Sequence, residues 1–195
     1  MRLTGMLLGM TGMAALGMAA ETCTINAHMN NLSVVPPAAL FQAKSLAREM
    51  FAGIGVPVHW QGPTPRDTDA GCWPPVEIDF DAGLPGTDRP GSMAYAMPYL
   101  EGRVRIHVFV GRVASMVPAN RMGILLGHVL VHEITHVLQG VSRHSEEGVM
   151  KARWNIPDFR AMEAHPLPFD RLDVLLIHAG VRRSTVGEPL ASANE

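Results

Sequence analysis

The stretch Met122–Leu138, MGILLGHVLVHEITHVL, constrains this chain most, because it carries an ionisable glutamate inside a run that is otherwise almost wholly apolar. Besides His132, Glu133 and His136, its polar side chains are His128 and Thr135, and at helical spacing the apolar residues lie nearly all round the axis. Such a helix is expected to be buried. An ionised Glu133 there costs several kcal/mol unless a cation or strong donors compensate it. The sequence suggests the cation: His132-Glu133-Ile134-Thr135-His136 reads as HExxH. Residues four apart share one helix face, so His132 and His136 can offer two imidazole nitrogens to a single zinc ion. Glu133, about 60° round the helix from His136, can hold a metal-bound water without being a ligand.

Gly140 can end this helix in the left-handed conformation and turn the chain back, which lets His144 return as a third ligand and leaves one position for water. Carboxylates offer alternatives: Glu146 or Glu147 with a shorter return, or Glu163 further downstream as in gluzincins. His128, one turn before His132 on the same face, is expected to be a core histidine that can also bear on a ligand's surroundings.

These residues resemble the metzincin clan of zinc peptidases, whose long motif is HExxHxxGxxH followed by a methionine in a tight turn beneath the metal. The matrixin-like branch looks closest, with His144-Ser145 and Gly148-Val149-Met150 standing for its His-Ser and its later methionine. The spacing departs from that pattern. Gln139 occupies the glycine's place and Gly140 follows it, the third histidine comes two residues late, and Lys151 stands where some metzincins have a tyrosine. The resemblance covers Thr24 to Met150 and implies a twisted, mostly parallel five-stranded sheet carrying the active-site helix. Ser92 to Met97 would then be the antiparallel edge strand that aligns a substrate.

In chain order, Thr24–Leu32 reads as a first strand, and Ala38–Ala52 as an amphipathic helix with Leu40, Phe41, Leu46, Met50 and Phe51 toward the core. Ile54–Gln61, Val76–Phe80, Ser92–Met97 and Arg103–Val110 follow as strands. His59 and His107 fall on strand faces and are expected to be ordinary surface residues. Asp79, Asp81 and Asp88 lack the regular oxygen spacing of a calcium loop. After the HExxH helix come a helical segment at Pro157–Ala164 and an amphipathic helix from Phe169 to Ala179, stopped by Gly180. This order predicts an α+β fold, zincin-like, with a mixed sheet packed on helices.

The ends differ from the middle. Arg2, an uncharged stretch from Leu3 to Ala20 and small residues at Ala19 and Ala20 read as a secretory signal peptide over 1–20. A single domain is expected over 21–185 and a disordered tail over 186–195. Secretion or export to a periplasm places the only cysteines, Cys23 and Cys72, in an oxidising compartment. One disulfide between them would stabilise the fold by roughly 4 kcal/mol on the chain-entropy model; the rival role for Cys23 is a thiolate plug on the zinc. A net charge of −2 on 195 residues leaves no basic footprint for nucleic acid and no polybasic membrane patch.

Together these features predict a secreted metallopeptidase acting on peptides or proteins with one Zn²⁺. The metal would sit on His132, His136 and His144, with Glu133 as general base and Met150 as an apolar floor. The competing expectations are a zinc-stabilised binding protein without hydrolysis and a secreted domain without metal. An intact Glu133 distinguishes the first from an enzyme, since a purely structural zinc needs no base.

Overall fold

The structure, a computed structural model, describes residues 23–62, 73–83, 91–100 and 103–185. Alternation of apolar and polar residues builds a five-stranded sheet from β1 (Ile25–Asn30), β2 (Val58–Gln61), β3 (Val76–Asp81), β4 (Ala94–Leu100) and β5 (Arg103–Phe109), in the order β2-β1-β3-β5-β4. All pairs are parallel except β4 with β5, so β4 is an antiparallel edge strand, at the place expected for Ser92–Met97. One face of the sheet is apolar, with Ile25, Ala27, Ile78, Val104, Ile106 and Val108 buried in the core. The other carries charge: Arg105 bridges Glu77 at 3.1 Å and Asp79 at 3.3 Å.

Two long helices belong to the same core, α1 (Pro37–Gly53) and α3 (Met122–Gln139). Fifteen of the eighteen residues of α3 are buried, as its all-round apolarity requires. The face of α1 differs from expectation. Its buried residues are Ala39, Ala43, Ala47, Met50 and Phe51, while Phe41 is 75% exposed. The cause lies on α3, where a Cβ at Gly123 would meet the Ala39 carbonyl oxygen at 2.8 Å and one at Gly127 the Ala43 Cα at 3.2 Å. Alanines facing glycines let the helices approach closely, which a leucine or phenylalanine face would prevent.

Two further boundaries are corrected. Val110, expected to end the last strand, instead opens a short helix, α2 (Val110–Met116). Gly180, expected as a stop, lies inside the C-terminal helix α5 (Arg171–Thr185), where any Cβ would collide with the Leu138 carbonyl at the end of α3. Here glycine serves contact, not termination. Between them α4 (Ile156–Ala164) starts on a capping box in which Asn155 and Asp158 satisfy each other's backbone N–H groups. Residues 1–22 and 186–195, with the signal-peptide and tail expectations, lie outside the described residues. No helix among the described residues is long and apolar enough to cross a membrane.

Candidate metal centre

His132 and His136 project from one face of α3, and the chain after the helix supplies the rest. Gly140 ends α3 at φ 69°, its N–H donating to the His136 carbonyl at 3.0 Å. The left-handed turn aims the Val141 carbonyl back at the helix, where it accepts from His136 Nδ1–H at 3.3 Å. Three residues later His144 closes on the same point. His136 Nε2 lies 3.0 Å from His132 Nε2 and 3.3 Å from His144 Nε2, and one ligand atom from each residue lies within 4.8 Å of the others.

The segment from Ser145 to Lys151 forms a tight turn. Ser145 N–H donates to the Met150 carbonyl at 2.9 Å, and Lys151 N–H to the Gly148 carbonyl at 3.3 Å. Gly148 has φ 77°, and a Cβ there would run into the Pro168 carbonyl oxygen, so both conformation and space demand glycine. Met150 is completely buried in this turn, and the neighbouring Val149 carbonyl accepts from His132 Nδ1–H at 2.9 Å. Backbone carbonyls thus fix the tautomers of both helix histidines and leave each Nε2 as a bare acceptor.

That is the arrangement a divalent cation needs. Zinc with tetrahedral nitrogen ligands at about 2.0–2.1 Å sets those nitrogens about 3.3 Å apart; the two separations from His136, 3.0 and 3.3 Å, lie near that edge, and all three ligand atoms lie within 4.8 Å of one another. Two lone pairs facing each other at this range repel unless a positive centre lies between them. Protonation is a poor substitute. Burial first, and then the neighbouring His136, push His132 down to about 3, and burial and His144 push His136 down to about 4. Partial desolvation also lowers His144, the most exposed of the three.

Glu133 is 8% exposed and lines the same cleft, a cavity of about 770 Å³. The walls of the cleft come from Gly91–Ala96 at the edge strand and from Lys151–Trp154 after the turn. Trp154 sets its ring nearly perpendicular to His132, with centroids 5.7 Å apart, and likewise to His128 at 6.3 Å.

His128 itself is fully buried and committed to structure. Its Nδ1–H donates to the Ile124 carbonyl at 2.8 Å, and its Nε2 accepts from Leu167 N–H at 3.0 Å. Burial lowers its pKa. His59 is exposed on β2, and His107 stacks on Tyr95 and lies 3.6 Å from Asp81. Glu163 faces Arg121 at 3.3 Å, Glu146 and Glu147 are exposed, and none of the three belongs to the histidine cluster. Asp79 is engaged by Asn30 and Arg105, and Asp81 by the Gly83 N–H; Asp88 lies outside the described residues. Cys23 is half-buried against the core and apart from the cluster, and its expected partner Cys72 lies outside the described residues.

The residues that sequence reasoning missed are those that hold the loop. Asp173 on α5 is fully buried and accepts from Ser145 Oγ at 2.8 Å, Arg143 Nη1 at 2.6 Å and Gln139 Nε2 at 3.2 Å. His144 is thereby anchored through both its neighbours. A signal existed: Asp173, Ile177 and Val181 are spaced by four on the buried stripe of α5, and a carboxylate on an apolar stripe calls for partners just as Glu133 does.

This architecture is a zincin-like fold. Archaemetzincin from Methanopyrus kandleri, a solved structure, superposes with a TM-score of 0.54 at 13% identity, over 86% of this chain and 100% of that one. The GM1-bound form of the ECX AB5 holotoxin superposes with a TM-score of 0.44 at 14% identity, over 83% of this chain and 80% of that one. No family model matches the sequence, and no curated protein matches it.

Proposed function

We propose that this chain is a secreted or periplasmic zinc-dependent endopeptidase, matrixin-like in its turn and third histidine. It holds one Zn²⁺ on His132, His136 and His144, with Met150 beneath the ligands, and a Cys23–Cys72 disulfide ties down its N-terminal strand. The observation that carries this reading is the convergence of three imidazoles, two with Nδ1–H already given to a backbone carbonyl, with one nitrogen of each within 4.8 Å of the others. The zincin-like fold and the cleft beside Glu133 support it.

A zinc ion held by His132, His136 and His144 would lower the pKa of a bound water toward about 7 and polarise a peptide carbonyl. The protein's own groups do the rest. The exposed edge of β4 lies in the cleft wall and can align an extended peptide by adding a strand. Glu133, screened from bulk water, takes a proton from the attacking water as general base and delivers it to the leaving amine nitrogen. The Val141 and Val149 carbonyls hold the imidazole planes while that happens.

The test is zinc content and peptide hydrolysis of the chain from Glu21 onward, purified without chelators or a histidine tag. One zinc per chain and hydrolysis that falls by about 10²–10⁴-fold in Glu133→Ala, with zinc retained, are expected. Cleavage by Glu133→Ala near the parent rate would remove the base, and absence of zinc even after metal is restored would remove the enzyme.

A further inference from the structure

The cleft has a mixed lining, in which Met93, Met116, Val129, Trp154 and Phe159 supply apolar surface, and it holds few charged side chains. Besides the histidines, its only acidic or basic side chains among the described residues are Glu133, Lys151 and Arg153. Glu133 is assigned to proton transfer. Lys151 is neutralised within the protein, its Nζ lying 2.7 Å from Asp158 Oδ2. Arg153 is exposed and has no ion pair or hydrogen bond to any other described residue. The segment that carries it is nonetheless well held, between Lys151, tied to α4 through Asp158, and Trp154, packed on His132 and His128. A guanidinium in the wall of this cleft, on a backbone segment held at both ends and with no carboxylate partner among the described residues, is suited to a planar anion brought in from outside.

We infer that Arg153 makes the cleft selective for substrates that present a carboxylate close to the scissile bond. This rests on the cleft's being a peptide site. The carboxylate comes from an Asp or Glu side chain or from the end of a peptide chain, and the same guanidinium geometry receives either. The apolar lining then takes the neighbouring side chains, so the favoured substrate pairs one acid with bulky apolar residues. A neutral peptide leaves Arg153 in water and gains nothing from it.

Binding and cleavage are measured separately with two random hexapeptide pools, using the full zinc-loaded chain. One pool is acetylated and amidated, so that only side chains bear carboxylates; the other lacks Asp and Glu but keeps free C-termini. Retention on Glu133→Ala protein, read by mass spectrometry, is expected to favour acid-bearing peptides of the first pool. Their affinity should fall about tenfold to a hundredfold in Glu133→Ala/Arg153→Ala, and Arg153→Glu should turn the preference toward Lys and Arg. Retention confined to the second pool, and lost with Arg153, upholds the site and assigns it to the chain terminus. No retention, retention without acidic bias, or a bias that survives Arg153→Ala overturns the inference. Cleavage by the parent protein without such a bias sinks this inference alone. An Arg153-dependent bias in binding, with no cleavage by the parent, sinks the peptidase reading and leaves the carboxylate site standing.

Discussion

Asp173 contributes no atom to the histidine cluster, yet Arg143 and Ser145, the neighbours of His144 on either side, are both bonded to it. Its removal should therefore act through His144. Asp173→Asn is expected to weaken zinc binding by about 10–100-fold, read by competition with a chromophoric chelator. His144→Ala should cost more, and Glu163→Ala, whose carboxylate serves Arg121, should cost nothing measurable. If Glu163 proved the costlier loss, the third ligand would be that carboxylate. Protons supply a second residue-scale expectation for the metal-free protein. His132 and His136 titrate at about 3 and about 4 in the folded state against 6.5 in the open chain, and His128 is lowered in the same direction. Below pH 6.5 the unfolded chain takes up protons that the folded one refuses, so stability falls as pH drops toward 4 and these groups add no pH dependence above about 7. Urea midpoints of the chelated protein should follow that course, with a shallower fall in His132→Asn/His136→Asn. An equally steep fall in the double variant would clear the histidines of the effect.

Helix contacts in this fold depend on what is missing from glycines. Alanine normally stabilises a helix interior by up to about 1 kcal/mol over glycine, and Gly180 lies inside α5. Because its Cβ would strike the Leu138 carbonyl, Gly180→Ala is expected to reverse that sign and destabilise the protein by about 1–3 kcal/mol in urea unfolding. A gain in stability would mean that α5 does not sit so close on α3. The α3 pattern was legible because burial on every side leaves a plain record in composition. The α1 face was not, since moments of large apolar residues point to Phe41, whereas the packing selects alanines opposite Gly123 and Gly127. Val110 was misread for a related reason: a β-branched residue continues an alternating pattern whether or not the strand does.

At the scale of the molecule, the histidines join α3, the turn after it and, through Asp173, α5, so a metal bound there would be coupled to the fold. Zinc at a thousand times its dissociation constant should raise the unfolding free energy by about 4 kcal/mol, seen as a melting temperature that climbs with zinc and returns on chelation. A melting temperature indifferent to zinc would mean that the three nitrogens hold none. The sequence by itself determined the helix that must be buried, the two histidines and glutamate that share it, the alternation that makes the sheet and the glycine that turns His144 back. Each is a local matter of period, polarity or backbone freedom, and such information is complete within a few residues. Only the tertiary structure decided that His144 and not Glu163 meets the helix pair, that Asp173 anchors the loop, and that Arg153 stands in the cleft wall without a partner among the described residues. Those depend on distances between segments far apart in the chain, which no spacing in sequence encodes.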